Sequence, residues 1–266
     1  METTSFAKDL AAVRLPRLPG NDQVVGESEL AAYAATIRRY FHFMGVVGRP
    51  RIWSFGCQWT GRFRRSAMDP FRRCEAWQYN SSVDVARVFR LNIHYAPLIS
   101  LIAHDTYVRG HGRMTGKLLD RFPVVDATGP ELDTGELVTW LNDAILIAPS
   151  MLLTRHTRFV AVDDRTFDVA LTDRGRTVTG RVHLDARGAP RDFSTHDRYV
   201  QEGGDTGGPF VKAEWRTPVD GWINIHGRSV PTTAAAVWML SSGPLTYAEM
   251  ALKHETLEYN VGPAEP

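Results

Sequence analysis

Residues 137–149 read Leu137-Val138-Thr139-Trp140-Leu141-Asn142-Asp143-Ala144-Ile145-Leu146-Ile147-Ala148-Pro149, and this stretch decides the fold. Leu137, Trp140, Leu141, Ala144, Ile145 and Ala148 recur at the spacing of one helical face, and Pro149 ends the run. Leu146 lies opposite that stripe, so a helix over 137–148 is apolar on nearly all sides and is expected to be buried. A buried helix needs a wall, and the flanking segments supply strands.

On the N-terminal side, Trp53, Phe55, Cys57, Trp59 and Phe63 share one parity, while Ser54, Gln58, Thr60, Arg62 and Arg64 share the other. The same period of two returns in Val83, Val85, Phe89, Leu91, Ile93 and Tyr95, and beyond the helix in Phe167, Val169, Leu171 and then Val178, Val182, Leu184. Turn signals at Asp163-Asp164, Asp173-Arg174-Gly175, Asp185-Ala186-Arg187-Gly188 and Gly203-Gly204 separate these runs by short distances, which predicts meanders and excludes βαβ units. With further candidates over 210–260, about ten strands are expected. A second amphipathic helix is predicted over 28–44, preceded by an extended arm over 1–27. Two helices are too few to cover a long sheet as a layer. The reading is therefore mainly β: a strongly curved antiparallel sheet over 50–261, an open half-barrel, wrapped around a plug helix at 137–148 within a single domain 1–266. A pocket is expected between sheet and plug.

Composition narrows the function classes. The 266 residues are 43% hydrophobic and 23% charged, with 31 basic against 30 acidic side chains, so disorder and a broad phosphate-binding field are both excluded. Nucleic acid is not an expected partner. The longest mostly apolar run, 144–153, is about half of the ~20 residues needed to span a bilayer. METTSFAKDL has no apolar h-region, and the expected location is cytoplasmic. Cys57 and Cys74 read as core thiols, since their spacing fits neither a disulfide framework nor a zinc site.

The motifs Leu-Asn-Asp…Ala-Pro (141–149), Asp-Arg-Tyr (197–199), Trp-x-Thr-Pro (215–218) and Glu-Tyr-Asn-Val (258–261), in this order, resemble a bacterial family of unknown function. The resemblance covers about 105–261. It implies an open half-barrel around a helix, similar to the lipoprotein carriers LolA and LolB and to the cofactor-free violacein enzyme VioE, and it implies no reaction. The positions matching its motifs are Asn142, Asp143, Asp197, Arg198, Tyr199, Trp215, Thr217, Trp238, Glu258 and Tyr259.

Candidate chemistry centres on Asn142 and Asp143, which point away from the apolar stripe of the plug helix. Asp143 reads either as a general acid or base or as a buried partner of Arg198. Arg198 is the alternative anchor for a substrate carboxylate or enolate. His226 shares strand parity with Trp222 and Asn224 and is a candidate acid or base. Trp59, Tyr107, Trp140, Tyr199, Trp215 and Trp238 are the candidate substrate-binding aromatics. Neither His-x-x-x-His, nor a complete glycine phosphate loop, nor a nucleophile elbow is present, so no metal or cofactor is expected. Two functions fit: a cofactor-independent isomerase or cyclase acting on a hydrophobic metabolite, or a non-catalytic carrier of a lipid or other apolar ligand. The oligomeric state is left open.

Overall fold

Fourteen strands build one sheet in the computed structural model, which describes residues 2–17, 23–201 and 208–263. They are β1 (Ser54–Phe63), β2 (Arg72–Ser81), β3 (Ala86–Ala96), β4 (Ile99–Val108), β5 (His111–Leu118), β6 (Phe122–Thr128), β7 (Thr157–Ala161), β8 (Thr166–Asp173), β9 (Arg176–Leu184), β10 (Pro190–Gln201), β11 (Phe210–Arg216), β12 (Val219–Ile225), β13 (Arg228–Leu240) and β14 (Gly243–Tyr259). Across the sheet they run β6-β5-β4-β3-β2-β1-β14-β13-β11-β10-β9-β8-β7, and β12 folds back on the first half of β13. The expected mainly β half-barrel around a buried helix is what forms. The strand count exceeds the expected ten in part because β5 and β6 carry little alternation: β6 is exposed along most of its length on both faces, so no buried stripe marks it. The turn signal at Gly203-Gly204 lies outside the described residues.

The plug is α4 (Pro130–Ile147). Trp140, Leu141 and Ile145 are at most 1% exposed, as their stripe requires. The helix starts seven residues before Leu137, with Pro130 in its first turn. That added segment has no apolar stripe, which is why periodicity missed it. Its task is polar: Asp133 Oδ1 accepts from Gly112 N at 2.7 Å and Oδ2 pairs with Arg176 at 2.9 Å, so the helix closes the seam between β5 and β9. At the other end, the Ile145 carbonyl would receive its helical hydrogen bond from residue 149, but Pro149 has no N–H. The hydroxyl of fully buried Tyr40 donates to that carbonyl instead, at 2.7 Å. Tyr259 does the same for Ile147 at 3.0 Å. Two tyrosines from distant parts of the chain thus cap a helix end that water does not reach.

The helix expected over 28–44 is two pieces, α2 (Glu27–Leu30) and α3 (Ala35–Phe43). Glu29 accepts from Gly26 N and pairs with Arg51, which fixes the first turn, and Ala34 is extended before α3 begins. The arm expected over 1–27 is also corrected. Residues Glu2–Ala12 form α1, which is followed by Leu15, and Leu10 and Leu15 cover Tyr79, Ala86 and Val88 on the outer face of β2–β3. Cys57 and Cys74 are buried free thiols. No described helix is long and apolar enough to cross a membrane.

The tyrosine caps make a prediction. Tyr40→Phe keeps the packing but leaves the Ile145 carbonyl buried and unpaired, and should cost about 1–3 kcal/mol in urea unfolding. An unchanged midpoint would mean that this carbonyl is satisfied in another way.

Candidate functional site

The face of α4 that does not carry the apolar stripe forms the floor of a chamber. Glu136, Thr139, Asn142, Asp143 and Leu146 look from it toward the inner face of the sheet. The walls are Trp59 and Phe63 from β1, Phe89 and Leu91 from β3, Trp215 from β11 and Tyr247 and Met250 from β14. The open volume is about 180 Å³. A cavity of roughly 150 Å³ holds one benzene-sized molecule, so this space admits a small ligand or one end of a larger one.

Arg87 organises the floor. Its Nε donates to Asp143 Oδ2 at 2.9 Å and its Nη1 to Glu136 Oε2 at 3.1 Å, with Arg87 and Glu136 almost wholly buried. Asp143 Oδ2 also accepts from Gln78 Nε2 at 2.7 Å and Asn80 Nδ2 at 3.2 Å. Gln78 is oriented in turn, because its Oε1 takes the Trp59 Nε1 hydrogen at 2.8 Å. Asp143 is therefore the acceptor of a closed knot that ties α4 to β2 and β3.

Three groups lining the chamber retain unused hydrogen-bonding capacity. Asn142 Oδ1 accepts from Thr217 Oγ1 at 2.8 Å, and its Nδ2 makes no hydrogen bond among the described residues. Arg198 lays its guanidinium on Trp215, 4.4 Å from the ring centroid, and makes no ion pair among the described residues. Asp105 has a buried Oδ1 with no hydrogen-bond partner among the described residues. Burial raises the Asp105 and Asp143 carboxyls above the usual carboxylate range. Glu136 is raised as well: burial, together with the neighbouring Asp105 charge, pushes it up to about 7 against the pull of Arg87 and Arg198.

Five of the sequence-predicted residues meet here: Asn142, Asp143, Arg198, Trp59 and Trp215. The expected Asp143–Arg198 pair does not form, because Arg87 reaches Asp143 from β3 while Arg198 stacks on indole rings. His226 is not on a strand. It is exposed, with φ of 51°, in the two-residue turn His226-Gly227 that joins β12 to β13, so it faces solvent. Tyr199, one residue from Arg198, lies on the opposite face beside Lys212. Tyr107 is fully buried and donates to Asp173, and Trp140 donates to Ser81 O, so both serve the core and not the chamber. Trp238 stacks on Tyr247 behind Arg198.

Sequence reasoning passed over Arg87, Glu136, Asp105 and Gln78. The signal was present for Arg87, which has the parity of Val85, Phe89 and Leu91, since a charge within an inward stripe requires a buried partner. Glu136 stands at helical spacing from Thr139 and Asp143 but precedes the stripe that was used to delimit the helix.

A second depression, of about 610 Å³, lies on the outer face of β7–β11. Its charges neutralise one another, Arg181 with Asp168 at 2.7 Å and Arg216 with Glu214 at 2.8 Å, and it is a solvated surface.

A curled sheet wrapped on a helix, with a small half-polar chamber between them, is the architecture of an open half-barrel pocket protein. This chain belongs to the DUF6544 family of unknown function, whose model matches residues 23–250. The match starts well before the expected 105 and stops short of the Glu-Tyr-Asn-Val motif. No curated protein matches. Among solved structures, the chain is similar to a LolA superfamily protein from Nitrosomonas europaea, at 13% identity and a TM-score of 0.43 over 86% of this chain and 94% of that one. It is also similar to a DUF1329 family protein from Desulfovibrio piger, at 11% identity and a TM-score of 0.43 over 86% of this chain and 93% of that one.

Two predictions test the floor. Arg87→Met leaves Asp143 and Glu136 buried without their cation and should cost about 3–5 kcal/mol; a loss under about 1 kcal/mol, the scale of an exposed pair, would contradict the burial. Glu136 binds its proton more tightly folded than unfolded, so the stability it contributes is complete below about pH 4.5 and is lost as pH rises toward about 7. Unfolding free energy measured across that window should fall less steeply in Glu136→Gln than in wild type, and equal slopes would exclude a raised Glu136.

Proposed function

We propose that the chamber binds one small amphiphile, with its apolar body among Trp59, Leu91, Trp215 and Met250 and its head on the polar floor. The observation that carries this reading is the unused hydrogen-bonding capacity of the groups lining the chamber. Arg198 and Asn142 Nδ2 offer donors, whereas Asp105 Oδ1 requires one. A head that both donates and accepts, such as a hydroxyl or a primary amide, satisfies all three, while a carboxylate would leave Asp105 unpaired and add repulsion. The volume favours a ring or a short chain over a two-chain lipid. Binding or carriage of such a ligand uses every feature of the chamber and asks no proton transfer of Asp143, whose carboxylate is already engaged.

A cofactor-independent isomerase or cyclase is the second reading, and one observation favours it: Glu136, pushed up to about 7 beside Asp105, is poised to exchange a proton near neutral pH. In that case Glu136, and not Asp143, is the proton-transfer group.

Fluorescence of the chamber tryptophans Trp59 and Trp215 tests the first reading. Titration with 1-octanol at neutral pH should give a saturable change at one site, with octanoate binding more weakly by roughly tenfold, the size of one unfavourable buried interaction. Leu146→Trp, which fills the space above Asn142, should abolish the change while the protein still melts cooperatively. Absence of saturation with 1-octanol, or a preference for octanoate, would contradict the proposal.

A further inference from the structure

Several of the large apolar side chains that the fold leaves in solvent, including the two most exposed, Met68 and Leu98, lie at one end of the half-barrel. The β1–β2, β3–β4 and β5–β6 turns lie side by side; they carry Met68, Leu98 and Leu119, and Ile99 and Phe122 open the strands that follow. Met68 is 93% exposed, Leu98 90% and Phe122 53%, and none of the five packs into either hydrophobic cluster. Such turns ordinarily take Gly, Pro, Asn, Asp or Ser, so turn formation does not account for Met68, Leu98 and Leu119. The turns are also held together. Leu119 N donates to Ser100 O at 2.8 Å, and Arg72 donates to Tyr95 O at 3.1 Å while stacking on that ring.

The same three turns concentrate positive charge in a chain whose net charge is only +1. Among the described residues, Arg64, Arg72, Arg73, Lys117 and Arg121 lie in or beside these turns, whose own acids are Asp69 and Asp120. Asp120 is partly used by Arg90, outside the turns. Between the first two turns, Phe71, Arg72, Arg73, His94 and Tyr95 border a depression of about 390 Å³. The chamber residue Phe63 ends β1 at this end of the sheet.

We propose that this end docks on the surface of an anionic phospholipid bilayer, with the five apolar side chains entering the interfacial layer and the arginines meeting lipid phosphates. Separate apolar tips rimmed by cations suit a soft, negatively charged surface. A second copy of the chain is disfavoured, because a two-fold dimer through this end would bring two like-charged rims together. The docking does not depend on what the chamber holds.

Co-sedimentation with vesicles is the test, using phosphatidylglycerol mixed with phosphatidylcholine against phosphatidylcholine alone. Wild type should partition onto the anionic vesicles roughly tenfold better, as several basic residues near a charged surface imply. Partitioning should weaken between about 0.05 and 0.5 M salt as screening shortens. The triple variant Met68→Asp, Leu98→Asp, Phe122→Asp should lose most of the binding at an unchanged melting temperature, since all three side chains are exposed. Failure of wild type to bind anionic vesicles at low salt would overturn the proposal, as would full binding by the triple variant. Equal binding to both lipid compositions would overturn it too. So would a dimer, seen by sedimentation velocity, that the same substitutions dissolve.

Discussion

Arg87 holds Asp143 and Glu136, two helical turns apart on α4, against the inner face of β3. An isolated guanidinium or carboxylate at this depth would not stay charged, and the three groups are stable there only together. Their geometry orients the helix about its own axis: the polar side faces the chamber and the apolar stripe packs into the core. A helix with Leu or Ile at 136 and 143 would be free to roll and sink into the sheet, and the space above it would close. The chamber therefore exists because the plug is anchored by charge on the very side from which hydrophobic packing would pull it inward.

The rest of the fold supports that orientation from the ends. Asp133 pins the start of α4 across the seam between β5 and β9, and the tyrosine hydroxyls of Tyr40 and Tyr259 take over the carbonyls that Pro149 and the chain's turn leave open. Phe193 meanwhile fills the place where a side chain at Gly180 would stand, 2.3 Å from an added Cβ, so β9 and β10 pack tightly beneath Trp215. Between these fixed points the wall is apolar and the floor polar. That division is what a ligand with an apolar body and a hydrogen-bonding head requires, and it leaves Asp105, Asn142 and Arg198 as the groups that would select the head.

Much of the architecture was legible because it rests on periodicity. The stripe Leu137 to Ala148 announced a buried helix, and Trp53 to Phe63 announced a strand with an aromatic inner face. What periodicity does not see was misread. β6 has no buried face, the first two turns of α4 have no stripe, and the α2–α3 break is set by Glu29 and Arg51, far from any apolar pattern. The site was half legible for a related reason. Asp143 and Asn142 stood out on the helix, but the partner of Asp143 depends on which strands flank α4 in space. The strand of Arg198, β10, does run along α4, but Arg198 turns onto Trp215, and it is Arg87 on β3 that reaches Asp143. His226 failed because its parity was counted through a turn, where alternation stops.

The Arg87 knot holds open an apolar-walled cavity over Asn142. A crystal of the protein pressurised with xenon measures this directly, since xenon enters dry cavities without asking for hydrogen bonds. The account predicts a xenon peak bounded by Trp59, Leu91, Leu146 and Trp215, with Arg87 still bridging Asp143 and Glu136. A chamber closed by inward movement of Phe63 and Tyr247, with no xenon over Asn142, would contradict it.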